Sequence, residues 1–196
     1  MRLISEGAEA KVYSIRFMGA EVAAKIRYRK KYRVEELDLD LREGRTKREA
    51  RCMEKADRSG VPVPRLVACG KFALFFEIVD GEVLKDIGSL PNWVPEEIGR
   101  TLALLHDAGV VHGDFTTANL MIKEKCLYVI DFGLSEITES TEGRAIDLLL
   151  IKRSIGKRDY SRLEKSYIKT AHGGKEVVLR LNEIEKRGRY QIRTVI

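Results

Sequence analysis

His112-Gly113-Asp114-Phe115-Thr116-Thr117-Ala118-Asn119, followed shortly by Ile130-Asp131-Phe132-Gly133, are the residues on which the reading of the whole chain turns. Moving a phosphoryl group off ATP asks mainly for positioning and charge neutralisation. One carboxylate must sit at the attacking hydroxyl or water, and other oxygen ligands must hold Mg²⁺ against the phosphates. Asp114 and Asn119, five residues apart, offer a base and a metal ligand from one loop. Asp131 offers the principal Mg²⁺ carboxylate. Each of these residues alone is equally well explained as a turn former. Both motifs, in this order and after an apolar helix, are not.

The pattern is the kinase pairing of His-Arg-Asp-x4-Asn with Asp-Phe-Gly, with Gly113 in place of Arg. It sends the search upstream for a lysine that reaches the α- and β-phosphates. Val22-Ala23-Ala24-Lys25 supplies one at the end of an apolar strand, with Ala23 lining the nucleotide pocket. Such a lysine needs a carboxylate to hold it, and Glu49 is preferred to Glu43 or Glu54. It lies mid-helix, next to Ala50 in an apolar stripe. The glycine loop is degenerate: in Ser5-Glu6-Gly7-Ala8-Glu9-Ala10-Lys11-Val12 only the middle glycine of the usual three remains. Ser5 and Ala10 are small enough for backbone to approach a phosphate, though with less conformational freedom than glycine; Gly7, Ala8 and Ala10 are the loop's candidate ATP contacts, and Val12 would cover adenine. Phe76 would fill the back of the pocket, with the Glu77 carbonyl and Val79 N–H offered to the base.

Working outward, the first 26 residues read as a β-meander, with strands at Lys11–Phe17 and Val22–Ile26. Residues 27–42 form a connection that is basic over Arg27–Arg33 and acidic over Glu35–Asp40, blocks that are ordinarily solvated. A helix is expected from Arg42 to Arg58, ending before Gly60, Pro62 and Pro64. Strands follow at Arg65–Cys69 and Phe72–Val79, the second apolar enough to imply burial on both faces. Pro95-Glu96-Glu97 opens a helix with Ile98, Leu102 and Leu105 on one face. A short strand at Val110–Val111 precedes the catalytic loop, and a hairpin turns around Lys123-Glu124-Lys125. From Ala145 the pattern is helical, with fraying expected over Arg187–Ile196. The expected fold is α+β: a two-lobed protein-kinase-like domain, with a β-rich N-lobe over 1–80 and a reduced helical C-lobe over 81–196.

Composition sets bounds. With 196 residues and 44% hydrophobic content the chain can bury a sizeable core. It has no apolar run long enough to span a bilayer, so no membrane association is expected. Three well-separated cysteines, Cys52, Cys69 and Cys126, read as buried thiols in a reducing, cytoplasmic setting. The net charge of +6 is uneven: residues 151–196 hold 13 Lys/Arg against 5 Asp/Glu, while residues 1–150 hold 23 against 25. A polyanionic partner is therefore expected at the C-terminal end. Lys186, Arg187, Arg189 and Arg193 are the candidate contacts.

The sequence resembles the small atypical kinase subunit of the KEOPS tRNA-modification complex, the PRPK-like family. The likeness rests on Gly7-Ala8-Glu9-Ala10-Lys11-Val12-Tyr13, the His-Gly-Asp-x-Thr-Thr-x-Asn loop and Ile130-Asp131-Phe132-Gly133-Leu134. Ala145-Ile146-Asp147-Leu148 after a very short activation segment, and Arg187-Gly188-Arg189, add to it. RIO kinases share His-Gly-Asp but usually carry Ser-Glu-Tyr before the Asn, which this chain lacks. The tail departs from the family's Arg-Gly-Arg-Lys-Arg-like run, because Tyr190-Gln191-Ile192-Arg193 follows here. The resemblance implies ATP and Mg²⁺ use, association with the threonylcarbamoyl-transferase subunit and other KEOPS subunits, and support of threonylcarbamoylation at tRNA position 37. The alternatives are a stand-alone RIO-like Ser/Thr protein kinase and a nucleotide-binding scaffold. The short activation segment and absent peptide-clamping helices argue against the first. The presence of Lys25, Asp114, Asn119 and Asp131 together argues against the second.

Overall fold

The computed structural model describes residues 1–193, with side chains described as far as Arg187. Strands β1 (Arg2–Glu6), β2 (Lys11–Phe17) and β3 (Ala20–Ile26) form an antiparallel meander. The β2–β3 hairpin turns through Met18 and Gly19, both with positive φ (49° and 86°), the turn whose twist matches that of the strands it joins. Strands β4 (Leu66–Cys69) and β5 (Ala73–Phe76) complete a five-stranded sheet in the order β1-β2-β3-β5-β4. Its register aligns Val12 with Lys25 and Leu74, and Tyr13 with Ala24 and Phe75. Because strand side chains alternate, these two rows lie on opposite faces. Leu74 is buried, whereas Phe75 and Phe76 are only partly so, so β5 is not buried on both faces as its apolar run suggested. Phe75 instead stacks on Phe17 at 4.9 Å between ring centroids on the outer face.

Helix α1 (Glu35–Arg58) starts seven residues earlier than the sequence pattern indicated. The acidic block belongs to its first turns, where Glu35, Glu36 and Asp38 complement the helix dipole. Asp38 is not solvated: it is buried, accepting from the Lys30 N–H at 3.0 Å and Arg42 Nε at 2.7 Å. Burial would raise its carboxyl, but those two donors and the nearby Arg33 guanidinium hold it below the usual range. Farther along α1, Cys52, Met53 and Ala56 join the main hydrophobic core and so tie the helix to the C-terminal region.

That region opens with β6 (Glu82–Val83), which pairs with the hairpin β8 (Leu120–Lys123) and β9 (Cys126–Val129). Helix α2 (Val94–Asp107) is the central element; its Ile98, Leu102 and Leu105 are fully buried, each worth about 2 kcal/mol of apolar transfer. It crosses α4 (Lys157–Thr170) so closely that a Cβ on Gly99 would lie 2.2 Å from the Leu163 carbonyl oxygen. Only glycine permits that approach. Helix α3 (Thr141–Ser154) begins four residues before Ala145, with Ser140 Oγ accepting from the Gly143 N–H as its cap. Helix α5 (Gly174–Arg193) packs on α3 and extends into the stretch where fraying was expected, as far as Arg193; residues 194–196 lie outside the described ones. Strand β10 (Glu136–Ile137) pairs with β7 (Val110–Val111), an addition the sequence pattern did not suggest. All three cysteines are free; Cys52 is buried, but Cys69 is exposed and Cys126 half-buried, contrary to expectation. Among the described residues no helix is long and apolar enough to cross a membrane.

Candidate active site

Strand β3 puts Ala23 and Lys25 on the inner face of the sheet, opposite Val12, and α1 brings Glu49 beneath them. Lys25 Nζ donates to Glu49 Oε1 and to Asp131 Oδ1, each at 2.6 Å. Glu49 is buried, and its second oxygen accepts from the equally buried Arg27. The result is a chain of alternating charge, Arg27–Glu49–Lys25–Asp131, that joins the sheet, α1 and the Asp-Phe-Gly turn. Asp131 sits at φ 58°, and the Gly133 N–H donates to its Oδ1 at 3.1 Å. Burial works to raise the Asp131 carboxyl, but the Lys25 ammonium outweighs it and, with Gly133, holds the group below the usual carboxylate range. Asp131 is therefore ionised at neutral pH.

Across the cleft, Asn119 Nδ2 donates to the Asp114 carbonyl and to its Oδ2, both at 2.8 Å. The amide nitrogen thus orients the carboxylate, and the Asn119 Oδ1 is the atom left for a ligand. The loop carrying them is fixed by a residue that sequence reasoning assigned no role. Asp147 on α3, fully buried, accepts from the His112 N–H at 2.7 Å and the Gly113 N–H at 2.8 Å. It also lies 3.2 Å from His106 Nε2, whose ring is in turn 2.7 Å from the Tyr167 hydroxyl. The only sequence hint was an aspartate within the apolar run of a helix. Gly113 adopts φ 78°, and a Cβ there would come within 2.5 Å of the Leu134 carbonyl oxygen. That explains why a glycine stands where the usual motif has arginine.

A cleft of about 410 Å³ lies between these groups. Lys25, Glu49, Asn119 and Asp131 line it, as do Val12, Ala23, Phe76, Glu77 and Val79 from the sequence-based set. Ser5, expected to let backbone approach a phosphate, lines it too; Ile4, Met53, Pro64, Met121 and Ile130 also line it, although none of these had been singled out as a pocket residue. Gly7, Ala8 and Ala10 do not line it; they form the β1–β2 turn, closed by Gly7 N–H to the Ala10 carbonyl at 2.9 Å. Asp114 does not line it either and adjoins it through its hydrogen bond from Asn119. Of the basic tail candidates, Lys186 and Arg187 are exposed on α5, while the side chains of Arg189 and Arg193 lie outside the described ones.

Comparison with known proteins bears on this geometry. The family model described as the RIO domain matches residues 10–156. The KEOPS complex subunit Bud32 of Pyrococcus abyssi is 38% identical over all of this chain and 99% of its own length. A probable serine/threonine-protein kinase, the BUD32 homolog of Archaeoglobus fulgidus, is also 38% identical, over 94% of each chain. Among solved structures, the Rio2 kinase–ADP/Mg²⁺–phosphoaspartate complex from Chaetomium thermophilum superposes with a TM-score of 0.69. It covers 97% of this chain and 70% of that one at 17% identity, which shows a shared fold. The chain belongs to the Bud32 group of RIO-type atypical kinases.

Proposed function

We propose that this chain is the ATP-hydrolysing kinase subunit of a KEOPS-type assembly, serving threonylcarbamoylation of tRNA at position 37, in the cytoplasm. The observation that carries the catalytic part is Lys25 held between Glu49 and Asp131, facing across one cleft Asn119, which orients the adjoining Asp114. In this reading Lys25 contacts the α- and β-phosphates while Glu49 holds it in place. Asp114, oriented by Asn119, accepts the proton of the attacking hydroxyl or water. Val12 and Ala23 cover the adenine, and the Glu77–Val79 backbone offers it hydrogen bonds. Asn119 and Asp131 fit a Mg²⁺ ion: both present oxygen ligands, and Asp131 is ionised. Held there by Asn119 and Asp131, Mg²⁺ would supply charge neutralisation for phosphoryl transfer. Among the described residues no group of three or more His, Cys, Asp or Glu could hold a metal unaided, which suits an ion completed by phosphates and water.

Only seven residues, 134–140, separate Gly133 from α3, and two of them are tied down in β10. So short a segment supports ATP hydrolysis over the phosphorylation of protein substrates. The tRNA part rests on the relatives' names and the cationic C-terminal quarter. Among those relatives are probable bifunctional tRNA threonylcarbamoyladenosine biosynthesis proteins, 36% identical in Methanosarcina mazei, of whose length this chain spans about a third (35%). The test is phosphate release from ATP and Mg²⁺, with and without bulk tRNA. Asp131→Ala should leave less than about a tenth of the turnover, and tRNA should raise the wild-type rate. Label retained on protein, with tRNA irrelevant, would favour a stand-alone kinase instead.

A further inference from the structure

Seven consecutive residues, Arg27-Tyr28-Arg29-Lys30-Lys31-Tyr32-Arg33, are all either cationic or tyrosine, and the fold sorts them into two sets. Three are anchors. Arg27 is buried on Glu49, Lys30 Nζ donates to the Ala8 carbonyl, and Arg33 donates to Glu9 Oε1 at 3.1 Å. The remaining four, Tyr28, Arg29, Lys31 and Tyr32, are exposed, Tyr32 to 78%. Arg29 has one exposed contact with Glu35 at 3.4 Å, a pair of little energetic consequence. Lys31 makes no ion pair among the described residues, and the Tyr28 and Tyr13 hydroxyls meet at 3.2 Å. The Arg33 guanidinium lies 5.3 Å from the Tyr32 ring centroid. Two exposed tyrosine rings beside cations that are at most weakly paired, on a loop braced at three points, add nothing to the core.

We infer that this loop is an RNA-binding element, in which Tyr28 and Tyr32 stack on bases while Arg29 and Lys31 contact phosphates. The chemistry selects the partner. Nucleic acid uses both components of the patch, since every base has a π-face and every linkage a charge. An acidic peptide would use the cations and leave the rings idle. Single-stranded or looped RNA, whose bases are free to splay, fits better than a duplex. The inference rests on the tRNA reading above for the identity of the RNA. It adds a contact at the sheet end of the molecule, far in sequence from the cationic α5 terminus.

The test measures binding of bulk tRNA to the full chain at several salt concentrations. Tyr28→Ala/Tyr32→Ala should weaken binding at least about thirtyfold without changing its salt slope, because stacking releases no counterions. Arg29→Ala/Lys31→Ala should reduce the slope of log K against log salt by about 1.5, the share of two phosphate contacts. Val34→Ser/Leu37→Ser, altering exposed aliphatic residues next to the loop, should bind as wild type. ATP turnover without RNA should persist in every variant, which reports that the fold is intact. Wild-type-like RNA binding by both loop variants would overturn the inference while leaving the tRNA reading standing, and would assign the loop to a protein partner. If the unaltered chain fails to bind tRNA even at low salt, the tRNA reading falls and the inference with it.

Discussion

At the scale of single residues, Asp147 does more for the catalytic loop than any residue within the loop. It terminates the backbone N–H groups of His112 and Gly113 and faces the His106 ring, all inside the core. The Asp147 oxygen beside Nε2 fixes the tautomer: His106 donates from Nε2 to Asp147 Oδ2 and accepts the Tyr167 hydroxyl proton at Nδ1. Asp147→Ala strands three buried donors, which predicts a loss of at least about 3 kcal/mol in denaturant unfolding and a disordered catalytic loop. The same network predicts a pH dependence. Burial lowers the His106 pKa from its ordinary 6.5 despite the Asp147 carboxylate. Below pH 6.5 the unfolded chain takes up a proton that the folded chain refuses, so stability falls as pH drops from 6.5 toward the folded pKa. Thermal unfolding followed between pH 7.5 and pH 5 should therefore slope downward, and His106→Gln should flatten that slope. An unchanged slope would place the titration elsewhere.

At the scale of elements, the junction between β3 and α1 determines whether Lys25, the lysine proposed to meet phosphate, is in place. Lys25 and Arg27 share Glu49, one on each oxygen, so the helix is held at both corners of a single carboxylate. Arg27→Met leaves that buried carboxylate half-compensated. Removing one partner of a buried pair costs about 3–5 kcal/mol, and here it also releases α1 from Lys25. Urea unfolding should register the cost, and ATP turnover should fall with it; Arg27→Lys should recover part of both. Glu49 was legible in the sequence because it lies beside an apolar stripe at mid-helix. Arg27 was not, because within a run of seven cationic and tyrosine residues nothing distinguishes the one that turns inward. The early turns of α1 were hidden for a related reason: Asp38 in an acidic block reads as solvated until the fold supplies Arg42 and the Lys30 N–H. The juxtaposition of Asp114 with Asn119 and the Asp-Phe-Gly turn were legible because they depend on local spacing. Asp147 was not, because its partners lie 34 and 35 residues away along the chain.

At the scale of the whole molecule, charge and catalysis are separated along the chain. The ion chain from Arg27 to Asp131 balances itself, so the cleft contributes little to the overall field. The surplus cations lie in residues 151–196, 13 against 5, where α3, α4 and α5 carry them on the helical side. Many are already committed: Lys152 to Glu185, Arg162 to Glu96, and Arg180 to Glu142 and Glu183. Paired cations exchange a carboxylate for a phosphate at little net gain, so the binding energy must come from cations that release counterions outright. Lys186 and Arg187, exposed toward the end of α5, have no ion-pair partner among the described residues. Deleting residues 186–196 removes them together with Arg189 and Arg193, four cations in all. If each meets one phosphate, the slope of log K for tRNA against log salt should become shallower by about three. ATP turnover without tRNA should persist, because none of the described residues from Lys186 onward lines the cleft. A slope unchanged by the deletion would move the tRNA contact off α5 and onto other surfaces of the molecule.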